Sequence, residues 1–501
     1  MYTEKETEEL ISQALEKAYQ KFHEKKFEIV SVLTEQILKI SPKNCNAFQL
    51  LGLSYSQLGR HEDALIILKK CLEYYPENSE TINDLALAYS NKGDYDEAIK
   101  LLNKAIEINP DTSCFHSNLG LQYRHKLNHK EALSCFQKAL EIKREATTLA
   151  MIGGCYGELK NMDEAEKYIL QAIEMKPDFA AAHVDLASVL KLKGKWQEGF
   201  IEYEWRYDVY DQLKVWKKIY NPEKKWHGQD IKDKRILVHT EQGHGDAIHF
   251  VRYLQKLREM NTYVILHCSE ILKPIFTELA DEIFTKDPNL ISSWEDPKSD
   301  VPLHDYHCSV MSLPNLLHSI VTYRSYINHP DFFDLSEYKQ FNKIGIVWAG
   351  NPQHPNDKER SCKLSNFKEI AKIENVKLFS LMKDTRPRAY SHDGKIIDLT
   401  EGCEEMGVVD LSSHINDFGD TASIINSLDL IIGVDTAVMH LAASMGKTCV
   451  LLLPWNPDWR WEIDGEFSIW YGSMHLLRQK EKSEWDSVFA EAKDIVEKYF
   501  N

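Results

Sequence analysis

The stretch SETINDLALAYSNKGDYDEAIKLLNKAIEINP, residues 79–110, decides how the first half of the chain folds. It reads as two amphipathic helices around a Gly-containing turn, closed by a proline that lacks the amide hydrogen a further helical turn would need. Working outward in both directions, the pattern returns every 34 residues, once after 33, from Ile11, Cys45, Ser79, Ser113, Ala146 and Ala180. The eighth position of each copy is Ala18, Gly52, Ala86, Gly120, Gly153 or Ala187, and the twentieth is Val30, Ala64, Ala98, Ala132, Ala165 or Gly199. Helices approach closely only where side chains are small, so these positions mark the crossing inside each helical pair. The eleventh position adds Tyr55, Tyr89, Tyr123 and Tyr156, and Pro42, Pro76, Pro110 and Pro177 close their copies, with Arg144 standing in for the missing one.

This register resembles the tetratricopeptide repeat (TPR) family across about residues 8–206. Such a chain forms an α-solenoid in which each repeat is stabilised by its neighbours, and the superhelix carries a concave surface. Groove positions lie on the first helix of each repeat, between the packing ones: Gln49, Asn83, Asn118 and Asp185. Amide and carboxylate side chains there can grip a peptide backbone, or simply form a solvated polar face.

The repeat fades after Glu204-Trp205-Arg206, and a Trp- and Lys-rich connector fills residues 207–233. From Arg235 the period changes. RILVHT, a Gly-containing loop, AIHFVRYLQKLREM and TYVILHC make a βαβ unit. A second alternating series runs through KIGIVWAG (343–350), VKLFSLM, DLIIGVD (429–435), TAVMHLAASMG and KTCVLLL (447–453), with a closing amphipathic segment from Glu484 to Phe500. Two successive alternating blocks predict two Rossmann-like subdomains, residues 234–335 and 336–501, facing each other, with ligands at the carboxyl ends of the strands.

Composition bounds the function. With 60 Lys and Arg against 77 Asp and Glu, the formal charge is −17. Neither half supplies the basic stripe that a nucleic-acid binder uses to displace counterions. No apolar run approaches the ~18–20 residues of a membrane span, and the start MYTEKETEELISQ lacks the basic head and apolar core of a secretory signal, so the expected compartment is the cytoplasm. The ten cysteines are scattered without metal-knuckle spacing.

Four loops carry candidate chemistry. Glu241 to Asp246, EQGHGD, joins a strand to a helix expected to open at Ala247. Gly243 and Gly245 let the backbone approach a ligand, and Asp246 either projects into the cleft as a base or merely caps the helix. In Gly433 to His440, GVDTAVMH, a strand ends and Asp435 and Thr436 start a helix, with His440 one turn on; the exposed amides favour a phosphate. Alternatively Asp435 or Thr436 caps and His440 fills the core. Gly350 and Asn351, followed by Lys358, Arg360 and Ser361, suit an anion entering from the inter-domain side, and Lys383 offers another cation at the same sheet edge. PWNPDWRW, 454–461, could stack on a base or sugar, or shield the domain interface. The Asp-x-Asp at 94–96 falls in an inter-helix turn and reads as a cap.

GHGDAIHFVRYL, IVWAGNPQH, DTAVMHLAASMGK and LLLPWNPDWRW together resemble the glycosyltransferase family 9, or heptosyltransferase, domain over about residues 230–480. Joined to the repeats, the layout is similar to bacterial TPR-containing protein glycosyltransferases, including those acting on flagellin, and to O-GlcNAc transferase. The resemblance implies a GT-B fold and a nucleotide-sugar co-substrate with no resident cofactor or metal. It implies Asp246 as base, Asp435, Thr436 and His440 on the donor's phosphates and sugar, and Lys358 and Arg360 neutralising the leaving nucleotide. The implied reaction moves a sugar to a Ser or Thr of a protein recruited by the repeats. A silent nucleotide-sugar-binding scaffold and a glycan-directed transferase are the rival readings.

Overall fold

The computed structural model describes residues 3–291, 295–296, 300–322, 325–352, 354, 356–383 and 402–501. It divides into two compact units, one ending at Asp185 and one beginning at Leu186. The division falls inside the helix Ala180–Leu192, so the last helical pair of the repeat register is shared between them.

In the first unit the repeat becomes paired helices: Glu4–His23 with Phe27–Ile40, Cys45–Gln57 with His61–Tyr74, Ser79–Asn91 with Tyr95–Ile108, Ser113–His125 with His129–Ile142, and Ala146–Glu158 with Met162–Met175. The small residues at the expected crossings are fully buried, among them Ala18, Ala64, Ala98, Ala132 and Ala165. A Cβ added at Gly52 would stand 2.6 Å from Leu68 Cγ, and one at Gly120 2.7 Å from Phe136 Cε1. A methyl does not fit where these helices cross. Asp94 caps the helix Tyr95–Ile108 by accepting the Glu97 amide hydrogen at 3.2 Å, as the Asp-x-Asp spacing predicts, and Asp96 pairs with Lys126.

The second unit holds two all-parallel sheets. The first uses β1 (Arg235–His239), β2 (Tyr263–His267), β3 (Glu282–Phe284) and β4 (Tyr306–Ser309) in the order β3-β2-β1-β4. The second uses β5 (Asn342–Val347), β6 (Val376–Ser380), β7 (Val409–Asp410), β8 (Leu430–Val434), β9 (Cys449–Leu453) and β10 (Met474–Arg478) in the order β10-β9-β8-β5-β6-β7. Strands β8 and β9 are buried along their whole length, as continuous apolar runs in a sheet covered on both faces should be. Parallel strands place every carboxyl end on one edge of each sheet. The loops after β1, β5, β6, β8 and β9, which hold the candidate residues, therefore emerge from those edges. The chain ends in the helix Asp486–Phe500, whose Val488, Ala492 and Val496 are buried.

Candidate functional site

After β1 the chain turns through Gln242, whose positive φ of 62° tightens the loop, and enters the helix His244–Phe250. The helix opens at His244, three residues before the expected Ala247. Asp246 is thus its third residue rather than its cap, and its Oδ2 reaches back to accept the Gly243 amide hydrogen at 3.1 Å. The other carboxylate oxygen is held by Arg460, which follows β9. Arg460 also donates to Asp458 Oδ1 at 2.7 Å and lies 4.4 Å over the Trp459 ring. Burial alone would lower this guanidinium, but Asp458, Asp246 and Asp435 outweigh it and raise it further above its ordinary value. Asp246 therefore satisfies the Gly243 amide from the third position of the helix while also being tied to the loop after β9.

After β8, Asp435 and Thr436 precede the helix Ala437–Ser444. Thr436 occupies the cap position without making a side-chain cap bond, and its Oγ1 is buried with no hydrogen-bond partner. A buried hydroxyl without a partner is costly, and a bound acceptor atom would relieve it. His440 directs Nε2 toward Asp435 Oδ1 at 3.6 Å and places Nδ1 2.8 Å from the Tyr471 hydroxyl. Burial pushes the Asp435 carboxyl up, yet the adjacent His440 and the Arg360 charge prevail and hold it at about 2. Asp435 is a carboxylate at neutral pH.

The two motif helices meet directly. A Cβ at Gly245 would stand 3.0 Å from His440 Cδ2 and 3.6 Å from Ala437 Cα. A side chain at Gly245 would crowd the His440 ring, because the two helix starts, one after a strand of each sheet, come close there, with Asp246 the next residue along.

The turn after β5 forms a third part. Gly350 donates its amide hydrogen to Ser361 Oγ at 3.0 Å. Ser361 in turn donates to Asp357 Oδ1 at 3.1 Å, and Arg360 Nε donates to the same oxygen at 3.2 Å. Gly350, Arg360 and Ser361 are thereby knotted together, whereas Asn351 and Lys358 are both exposed on the loop. Lys383 is half-buried just beyond β6. A cavity of 520 Å³ opens beside this turn, lined by Ser361, Lys363, Lys482 and Trp485 among others. Gln353 of the IVWAGNPQH motif lies outside the described residues.

In PWNPDWRW the shielding role accounts for two of the three indoles. Trp461 is fully buried and stacks on His440 with ring centroids 5.2 Å apart. Trp459 contacts Phe200, Phe250 and Trp470. The groove candidates lie on the first helices of their pairs. Asn118 donates to Asn83 Oδ1 at 2.7 Å, Gln49 is half-buried and Asp185 reaches solvent. Asp84, next to Asn83, is raised to about 7, chiefly because the protein around it displaces bulk water. Sequence reasoning missed Arg460 and Tyr471, although Arg460 sits inside a motif it quoted.

Comparison with known proteins follows the same partition. Residues 55–117 and 111–178 match tetratricopeptide repeat models, and residues 371–453 match the glycosyltransferase family 9 (heptosyltransferase) model. The repeat matches fall in the first half of the chain and the family 9 match in the second. The family 9 match covers β6 to β9, and with them Asp435, Thr436 and His440. Protein FlbA of Caulobacter vibrioides is 24% identical over 352 residues, which are 62% of this chain and 54% of that protein. Among solved structures, the thermophilic TPR protein TTC0263 of Thermus thermophilus is 22% identical, with 36% of this chain and 98% of that one covered at a TM-score of 0.34. Pseudomonas aeruginosa pilF is 16% identical, with 42% and 97% covered at a TM-score of 0.37. No helix of the described residues is long and apolar enough to cross a membrane.

Proposed function

We propose that the chain transfers a sugar from a nucleotide-sugar donor to a Ser or Thr hydroxyl of a protein held by the repeats, a flagellin-like protein being one acceptor to test. The observation that carries this reading is the meeting of the two motif helices at Gly245, one residue before Asp246, against Ala437, one residue after Thr436, whose buried hydroxyl has no partner.

Asp246 takes the acceptor's proton as its oxygen bonds to the anomeric carbon and the bond from that carbon to the donor phosphate breaks. To do so it exchanges its contact with Arg460 for the acceptor hydroxyl, while the Gly243 amide keeps it oriented. The leaving nucleotide gains negative charge. Thr436, the amides at the start of Ala437–Ser444, His440, Arg360, Lys358 and Lys383 supply the compensating donors and cations. Gly350, Asn351 and Ser361 form the nucleotide side of the site, with Ser361 also lining the 520 Å³ cavity. In this reading protein groups take the charge-neutralising role, and the donor is a co-substrate rather than a resident cofactor.

The test is intact-protein mass spectrometry of candidate acceptors incubated with a panel of nucleotide sugars. Wild-type protein should add one sugar mass, and Asp246→Asn should add none while binding the same nucleotide with unchanged affinity by calorimetry. Full turnover by Asp246→Asn removes the base assignment. Nucleotide-sugar binding without any product points to a scaffold, and a mass gain confined to saccharide acceptors points to a glycan-directed enzyme.

A further inference from the structure

His440 sits in a buried polar chain that the reaction scheme leaves unexplained, and the chain can be read by assigning each hydrogen. Tyr471, 1% exposed, places its hydroxyl 2.8 Å from His440 Nδ1, 3.1 Å from His249 Nδ1 and 3.4 Å from the Tyr326 hydroxyl. Arg252 can only donate. Its Nη2 lies 3.3 Å from His249 Nδ1, so that nitrogen is the acceptor and the His249 hydrogen belongs on Nε2. Tyr326 spends its own hydrogen on the Ile248 carbonyl at 2.8 Å and accepts from Arg252 Nη2 at 3.2 Å. One hydrogen remains, that of Tyr471. Its nearest acceptor is His440 Nδ1. Burial pushes the Tyr471 phenol well above its ordinary range, so the hydroxyl keeps this hydrogen.

We infer that Tyr471 is a positioning residue that donates to His440 Nδ1 and so leaves the ring's hydrogen on Nε2, aimed toward Asp435 and the start of the helix Ala437–Ser444. The other side of the ring agrees, because a hydrogen rather than a lone pair should face the Asp435 carboxylate 3.6 Å away. Stacking of Trp461 fixes the ring plane. The inference rests on the proposed donor role of His440 for its consequence: an anion arriving at Thr436 meets an N–H donor and not a lone pair. Tyr471 comes from the segment before β10, whereas His249 and Arg252 follow β1, so the orientation of a second-sheet residue is supported by first-sheet groups.

The experiment is ring-¹⁵N histidine spectroscopy of the whole chain, with His440 assigned by the signals lost in His440→Gln. Wild-type His440 should show an unprotonated, hydrogen-bonded Nδ1 and a protonated Nε2. Tyr471→Phe should move those signals toward a tautomer mixture, and it should weaken inorganic pyrophosphate binding about tenfold by calorimetry, the effect expected from unpairing one buried polar group. A hydrogen on Nδ1 in the wild type overturns the inference, as does a Tyr471→Phe spectrum unchanged at His440. Should Tyr471→Phe fail to fold, the wild-type spectrum alone decides. If the spectra come out as expected but pyrophosphate binds neither protein, the tautomer assignment stands and the donor role of His440 falls.

Discussion

Lys191 is the residue whose position asks most for a physical reason. It is fully buried, with Nζ lacking a hydrogen-bond partner. Aromatic faces replace that partner: the amine lies 4.0 Å from the Tyr203 ring centre and 4.1 Å from that of Trp459. Burial, then the charge of Arg460, pulls the amine down to about 7 from its ordinary 10.5. A group depressed in the folded state contributes its full share only above its unfolded value, and that share is lost as pH falls toward the folded value. Between pH 10.5 and 7 the wild type is therefore progressively destabilised, because the unfolded chain takes up a proton that the folded one resists. Lys191→Met keeps the volume and removes the amine. It should be more stable than wild type by about 3 kcal/mol at pH 7, with cation–π attraction lost from the charged form trimming the gain. The gain should shrink steadily toward pH 10.5 in urea titrations, and a pH-independent difference would show that packing, not the amine, sets the cost.

At the scale of the helical pair, two glycines of one helix make opposite predictions. Both Gly153 and Gly157 lie in Ala146–Glu158, where alanine is intrinsically better by about 1 kcal/mol. A Cβ at Gly153 would stand 2.5 Å from Ile169 Cγ1 and 3.1 Å from the Ala165 carbonyl oxygen, and a backbone atom cannot step aside. Around Gly157 nothing lies within 4 Å. Gly157→Ala should raise stability by roughly 0.5–1 kcal/mol, and Gly153→Ala should lower it by about 1–2 kcal/mol once overpacking exceeds the helix gain. Equal shifts in denaturant midpoint would contradict the crossing geometry. The Gly153 position was legible in the sequence because it recurs in phase with Gly52 and Gly120, and a repeat reports its own contacts. The strands of the second unit were legible as apolar runs for a similar reason, being local. Contacts that cross the unit are not. Asp246 and Arg460 are 214 residues apart, and His249 and Tyr471 222. No spacing rule links such pairs, so motif reading found Asp246 without the arginine that holds it. The helix start was misplaced for a related reason: an Asp three residues into a helix and an Asp at its cap look alike until the amide it accepts, here Gly243, is known.

At the scale of the whole molecule, the two units have separable roles in the proposed reaction, and each role has its own measurement. The Asn83 and Asn118 amides bond to each other at 2.7 Å along the first helices of adjacent repeats, beside Asp84. An extended acceptor backbone could take over those hydrogen bonds, whereas nothing about them bears on the donor. Thr436 has the converse character: it belongs to the second unit, and its buried hydroxyl has no partner. Replacing Asn83 and Asn118 together by Ala should raise KM for a protein acceptor several-fold, with kcat and the affinity for inorganic pyrophosphate unchanged, because uniform binding is lost without touching the reacting atoms. Thr436→Ala should weaken pyrophosphate about fivefold or more and leave acceptor KM alone, since one buried hydrogen bond to an anion is removed. Steady-state kinetics with both substrates varied, together with calorimetry, separates the two. If the repeat variant also weakens pyrophosphate, or Thr436→Ala raises acceptor KM, the assignment of acceptor to the repeats and donor to the sheets is wrong, whatever happens to overall turnover.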